Sequence, residues 1–141
     1  MGLRALLHGL SAPKMFSEAY VRDLGEVKLV CLVDHSLKMG KGKVAAQVGH
    51  ASVKAALATR EQHPALFEAW MRSGQQKVVL RMTDGDELES ILSAAEGDGL
   101  AIHRIRDAGR TQIPKGSLTV GAIGPDRLSR IDELTGNLKL L

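Results

Sequence analysis

A single cysteine in 141 residues, Cys31, excludes a disulfide framework and any cysteine-based metal cluster. It sits inside an apolar run, where a small buried side chain is the expected role, and a reduced thiol predicts a cytoplasmic location. Aromatics are equally scarce. Phe16, Tyr20, Phe67 and Trp70 are too few for an RNA-binding mode that stacks several bases on rings, so any RNA contact has to be mainly electrostatic. No stretch of about 18 apolar residues exists, so nothing in the sequence reads as a membrane span. A mass of 15.1 kDa leaves no room for two full cores. With 44% apolar and 25% charged residues, disordered and fibrous classes are excluded as well.

Residues 1–17 carry Arg4 and Lys14 and no acid, a composition shared with transit peptides, but the segment is short and lacks a secretory apolar core. Residues 1–26 are read as an extension of unassigned role, with Met15 as an alternative start, and residues 27–141 as the domain. Charge is unevenly spread along it. Residues 27–63 hold six lysines and arginines against two acids, and residues 101–119 hold four against one. Residues 64–100 hold three against seven. If folding joins the two basic islands, they form one surface suited to a phosphate-rich partner; otherwise they are two solvated faces.

Val27–Val33 is a nearly continuous apolar run and predicts a strand buried on both faces. After a loop at His35–Gly42, the spacing of Val44, Val48, Ala51, Ala55 and Ala58 predicts a helix from Lys43 to about Arg60 whose small residues let it lie close on a sheet. Pro64 opens a shorter helix through Leu66, Phe67 and Trp70, stopped at Gly74. Lys77–Met82 reads as a strand. Asp84 and Glu87 form a capping box for a helix carrying Leu88, Ile91, Leu92 and Ala95. Ala101–Arg106 and Leu118–Ile123 read as strands flanking an eleven-residue polar loop, Asp107–Ser117. Pro125 and Asp126 are expected to start a last helix ending near Gly136, followed by an apolar tail, Asn137–Leu141. The order predicts an α/β domain with a mixed sheet of four strands, five if the tail pairs, and helices on both faces.

Two segments carry chemistry. Leu37-Lys38-Met39-Gly40-Lys41-Gly42-Lys43 lies between a strand and a helix N-terminus, where backbone N–H groups and the helix dipole favour an anion, and three alternate lysines add to that. It is no P-loop, which would need glycine at His35 and serine or threonine at Gly42. Gly40, Gly42 and Ala45 fit a dinucleotide fingerprint, but they stand too far from the strand and lack the acid about 20 residues on, which argues against a nicotinamide cofactor. On the helix, Lys43, Gln47, His50 and Lys54 are spaced 4, 3 and 4 apart and share a face distinct from the alanine stripe. That face is either a ligand-binding extension of the anion site or a solvated surface. His50 has no second histidine or carboxylate at ligand spacing and is read as a hydrogen-bonding or packing residue; no metal is expected.

The second segment, Asp107-Ala-Gly-Arg110-Thr111-Gln-Ile113, gathers a carboxylate, a guanidinium, a hydroxyl and an amide. Asp107 could orient or deprotonate water, with Thr111 positioning it and Arg110 holding a phosphate, or Asp107 could simply cap a turn.

Together these two segments, with His50-Ala51, Gly116-Ser117, Thr119-Val120, Ile123-Gly124-Pro125 and the C-terminal Leu138-Lys-Leu-Leu141, resemble the archaeal and eukaryotic (type 2) family of peptidyl-tRNA hydrolases. The likeness runs over residues 27–141. It departs at Asp34-His35-Ser36, where the family pattern has arginine at 34 and aspartate at 36. The resemblance implies hydrolysis of the ester joining a peptide to the 3′ end of tRNA, an α/β fold, no metal or cofactor, a cytosolic location and a possible homodimer. It also implies Lys43, Asp107, Thr111 and Thr119 as catalytic residues and Lys38, Lys41, Gln47, His50 and Arg110 as substrate-binding ones. The rival reading is an RNA-binding protein of the same fold without hydrolysis, which a broken second loop would favour; Asp107 and Thr111 are intact. With no activated Ser/His/Asp set visible, direct attack by water is expected, with Asp107 to activate it and Lys43 to meet the oxyanion or an adjacent phosphate.

Overall fold

Strand β1 (Val27–Asp34) is buried at every position, as an apolar run covered on both faces must be. In the computed structural model, which describes Leu3, residues 15–110 and residues 112–141, it lies near the middle of a four-stranded sheet. Strand β2 (Lys77–Met82) pairs with it in parallel, and β4 (Leu118–Arg127) pairs antiparallel on its other side. Strand β3 (Ile102–Arg106) adds to the outer edge of β4, so the order is β2-β1-β4-β3.

The helices in chain order are α1 (Glu18–Asp23), α2 (Lys41–Gln62), α3 (Pro64–Arg72), α4 (Gly85–Gly97) and α5 (Leu128–Thr135). Alternation along β1 divides the core between them. Leu29, Cys31 and Val33 pack with Ala51 and Ala55 of α2 and Ala69 and Trp70 of α3. Val30 and Leu32 pack on the other face with Leu88, Leu92 and Ala95 of α4 and Ile131 of α5. A Cβ at Gly121 of β4 would lie 2.6 Å from Leu92, so α4 approaches the sheet where there is no side chain to hold it off. Cys31 lies on the α2 side with its thiol pushed up to about 11 by burial.

Three boundaries differ from the sequence reading. Helix α2 starts at Lys41, two residues early, because Gly40 adopts the extended cap conformation and its carbonyl accepts from Val44 N–H at 3.0 Å. Its buried positions are Gln47, Ala51, Ala55 and Thr59, with Val44, Val48 and Ala58 only half-buried. Gln47 thus belongs to the inward stripe, not to a polar face apart from it.

The last helix starts at Leu128 rather than at Pro125. Pro125 to Arg127 instead extend β4, opposite Val27 and Lys28 beyond a register shift in the β1–β4 ladder. Proline has no N–H for the ladder and is tolerated at such an irregularity. Finally, the C-terminal tail makes a single bridge, Leu80 to Leu140, flanked by Arg81 N–H to Lys139 O at 2.9 Å and Leu141 N–H to Val79 O at 3.1 Å. It covers the β2 edge without becoming a fifth strand.

Helix α1 has no counterpart in the sequence reading. Ser17 caps it, Val21 is buried in the core, and the Met15 and Phe16 N–H groups both donate to Glu68 Oε2 at 3.0 Å. Arg72 bridges Glu68 and Glu18 at 3.6 and 3.3 Å, so residues 15–23 are tied to α3. Arg4 and Lys14, the basic residues of the leader-like composition, lie outside the described residues, as does Thr111. Among the described residues no helix is long and apolar enough to cross a membrane.

Candidate active site

Helix α2, from its first turn to Lys54, and the end of β3 border a cleft of about 580 Å³. Lys43, Gln47, His50 and Lys54 line it from α2, and Ile105, Asp107, Ala108 and Arg110 from β3 and the loop beyond. The two sequence segments, 64 residues apart at their central contact, therefore meet. Lys43, in the first turn of α2, forms an ion pair with Asp107 Oδ1. The cation and the helix dipole both favour a carboxylate here, and both would favour an anion on the substrate.

Asp107 is 5% exposed, so its orientation is set by its partners. Its backbone N–H donates to Ser117 O at 2.9 Å, and its carbonyl accepts from Gly116 N–H at 3.0 Å, which pinches the polar loop shut at its base. Its Oδ2 accepts Gly109 N–H at 2.8 Å. That turn uses Gly109 at a φ of +80°, a conformation glycine adopts without strain. The turn-capping and cleft-lining readings of Asp107 thus coexist, one oxygen serving each.

Deeper in the wall, Gln47 Nε2 donates to Thr119 Oγ1 at 2.9 Å, and Thr119 Oγ1 donates to Ile105 O at 3.1 Å. Thr119 is fully buried and is the extra residue of a bulge between the pairs Ile105–Val120 and Arg106–Leu118. The bulge re-aims its side chain toward α2, a feature with no signature in the sequence. Lys54 reaches Arg104 O at 3.3 Å from the far end of the cleft. Near it, His103 has a buried Nε2 without a hydrogen-bond partner, and burial followed by Lys54 holds its pKa below the usual histidine range.

Other expected contributors lie elsewhere. Lys38 and Lys41 line a separate, mainly apolar groove of about 790 Å³ on the β2 side of α2, with Val33, Met39, Val44, Val79 and the C-terminal Leu140 and Leu141. The three alternate lysines therefore do not converge on one anion; Lys43 alone of them faces Asp107. Arg104 lines the cleft, but its guanidinium is taken up by Glu89, gripping both carboxylate oxygens and holding that carboxyl below its ordinary range. Arg106 and Arg110 are the exposed arginines on the cleft wall, and Arg106 Nη1 donates to Gly116 O at 3.1 Å. At the departure from the family pattern, Asp34 caps the turn His35–Leu37, accepting from Ser36 N–H at 2.9 Å and Ser36 Oγ at 2.6 Å.

A family profile described as "Peptidyl-tRNA hydrolase PTH2" matches residues 27–141. The chain belongs to this family. Among peptidyl-tRNA hydrolases, that of Methanocaldococcus jannaschii is 44% identical over 115 residues, covering 82% of this chain and all of that one. The "Peptidyl-tRNA hydrolase" of Methanococcus vannielii is 47% identical over 78% of this chain and 95% of its own length. The "Peptidyl-tRNA hydrolase 2, mitochondrial" of Mus musculus is 49% identical over 116 residues, and the match spans 64% of that longer protein. Among the described residues of this family member, no three of His, Cys, Asp and Glu converge at metal-binding distances.

Proposed function

We propose that this chain hydrolyses peptidyl-tRNA, freeing tRNA from peptides that left the ribosome early, and that the cleft beside Lys43 and Asp107 is where it does so. The observation that carries the reading is the Lys43–Asp107 pair, which joins an anion-favouring helix end to the one carboxylate of either motif loop in a cleft edged by Lys54 and Arg110. Water attacks the ester carbonyl carbon and passes one proton to Asp107. The bond to the tRNA 3′ oxygen then breaks, and that oxygen takes up the proton from Asp107, leaving a peptide acid and a free 3′ hydroxyl. Lys43 faces the charge that develops on the carbonyl oxygen or the adjacent phosphate. Thr111 is proposed to share the hydrogen bond to the water. His50 and Arg110 hold the RNA end, and Lys38 and Lys41 contact it from the far side of the α2 N-terminus. The reading extends to a cytoplasmic location, which the single unpaired cysteine supports, and to a homodimer, which the family resemblance implies.

The test is incubation with an N-blocked aminoacyl-tRNA and, in parallel, with free aminoacyl-tRNA. The expected result is liberated tRNA from the first and little from the second. RNA binding without release from either would support the rival, a binding protein of the same fold.

A further inference from the structure

A hydroxyl has one hydrogen to give, and the enclosed Thr119 gives its own to the Ile105 carbonyl at 3.1 Å, where the β3–β4 ladder is interrupted by the bulge. In the contact with Gln47, at 2.9 Å, Thr119 can then only accept, so the amide must turn its NH₂ end toward Thr119. With Nε2 held on Thr119, the acceptor that Gln47 has left for the cleft it lines is its oxygen.

That choice decides how a water can sit. A water about to attack a carbonyl carbon needs its hydrogens held by acceptors so that a lone pair faces the carbon, whereas an amide NH₂ in the same place would donate into that lone pair. We propose that Thr119, through the Ile105 carbonyl, is a positioning residue that locks Gln47 as an acceptor. Gln47 Oε1 takes the second hydrogen of the attacking water whose first goes to Asp107. The inference rests on the hydrolase reading above and adds no reactant to it: the hydrogen that Gln47 Oε1 accepts stays bonded to the water oxygen, and Asp107 alone takes the moving proton.

The test is a double-mutant cycle in kcat on an N-blocked aminoacyl-tRNA, with the melting temperature and the Kd for uncharged tRNA measured for each protein. Gln47→Met keeps the volume and removes the acceptor. It is expected to lower kcat by about 10- to 100-fold with Kd changed by less than about threefold, the scale on which a misplaced reactant slows a reaction. Thr119→Val should lower kcat to a similar degree, and the double variant should be no slower than Gln47→Met, because Thr119 acts only through Gln47. Thr119→Ser, which restores the hydroxyl, should recover most of the loss. Multiplying losses in the double variant, or a folded Thr119→Ser as slow as Thr119→Val, would overturn the proposal. If Thr119→Val does not fold, Gln47→Met decides, and an undiminished kcat there overturns it. Wild-type protein that releases no tRNA overturns the hydrolase reading itself, whereas an active wild type with an additive cycle overturns this inference alone.

Discussion

Asp107→Asn yields a folded protein that turns over about 10²- to 10⁴-fold more slowly while binding tRNA nearly as well as before, the loss typical of a removed general base. Asparagine keeps the shape and an oxygen for the Gly109 N–H, which Asp107 Oδ2 accepts at 2.8 Å, so the turn at the base of the loop survives. What disappears is the negative charge facing Lys43 and the ability to take a proton from water. RNA affinity should change little, since phosphates are met by cations such as Lys54 and Arg110 along the cleft. Single-turnover kinetics at saturating protein, beside a direct measure of tRNA binding, separate the two. Near-normal turnover in a folded Asp107→Asn would reduce the residue to a turn cap.

Lys43→Ala is expected to damage both binding and turnover, lowering kcat/KM by about 10²- to 10³-fold, the range for losing one group that stabilises developing negative charge. The lysine sits in the first turn of α2, where its charge adds to that of the helix end in the ground state and in the transition state alike. It also serves stability. Its removal leaves the 5% exposed Asp107 without that cation, and breaking a buried pair from one side costs up to about 3–5 kcal/mol. The cost here is smaller, because the Lys43 side chain is 19% exposed and water can reach the pair. The melting temperature should therefore fall together with activity. Lys43→Arg should restore stability and affinity more fully than kcat, because a guanidinium keeps the charge but not the compact ammonium geometry. A variant that loses only thermal stability would exclude Lys43 from the chemistry.

The elements whose pattern depends on one local period were legible from the sequence. Strand β1 announced itself by unbroken apolar character, and α4 by Asp84 and Glu87 before its Leu88 and Leu92 stripe; Asp84 Oδ1 does accept Glu87 N–H, at 2.9 Å. The meeting of the two basic segments was legible only as a condition, since no period encodes the distance between Lys43 and Asp107. Gln47 was misplaced for a physical reason: a glutamine is assigned to water unless a buried partner is known, and its partner Thr119 lies 72 residues away. Arg104 was counted as part of a positive surface because its sign is visible in sequence, while its commitment to Glu89 across a strand and a helix is not. Pro125 misled in the same manner, reading as a helix start where pairing with β1 carried the strand onward.

The buried thiol of Cys31 makes this chain its own reporter of opening. Burial pushes the thiol up to about 11, which disfavours the reactive thiolate near neutral pH, and the group is shut between β1 and α2. An alkylating reagent should therefore react only with molecules in which α2 has lifted from the sheet. Because there is a single cysteine in the chain, the modified mass counts those events one by one. The rate of mass gain, followed with and without saturating tRNA, then measures how far a ligand in the cleft clamps α2 down. Equal rates in the two conditions would mean that a ligand in the cleft adds nothing to the contacts that already hold α2 on the sheet.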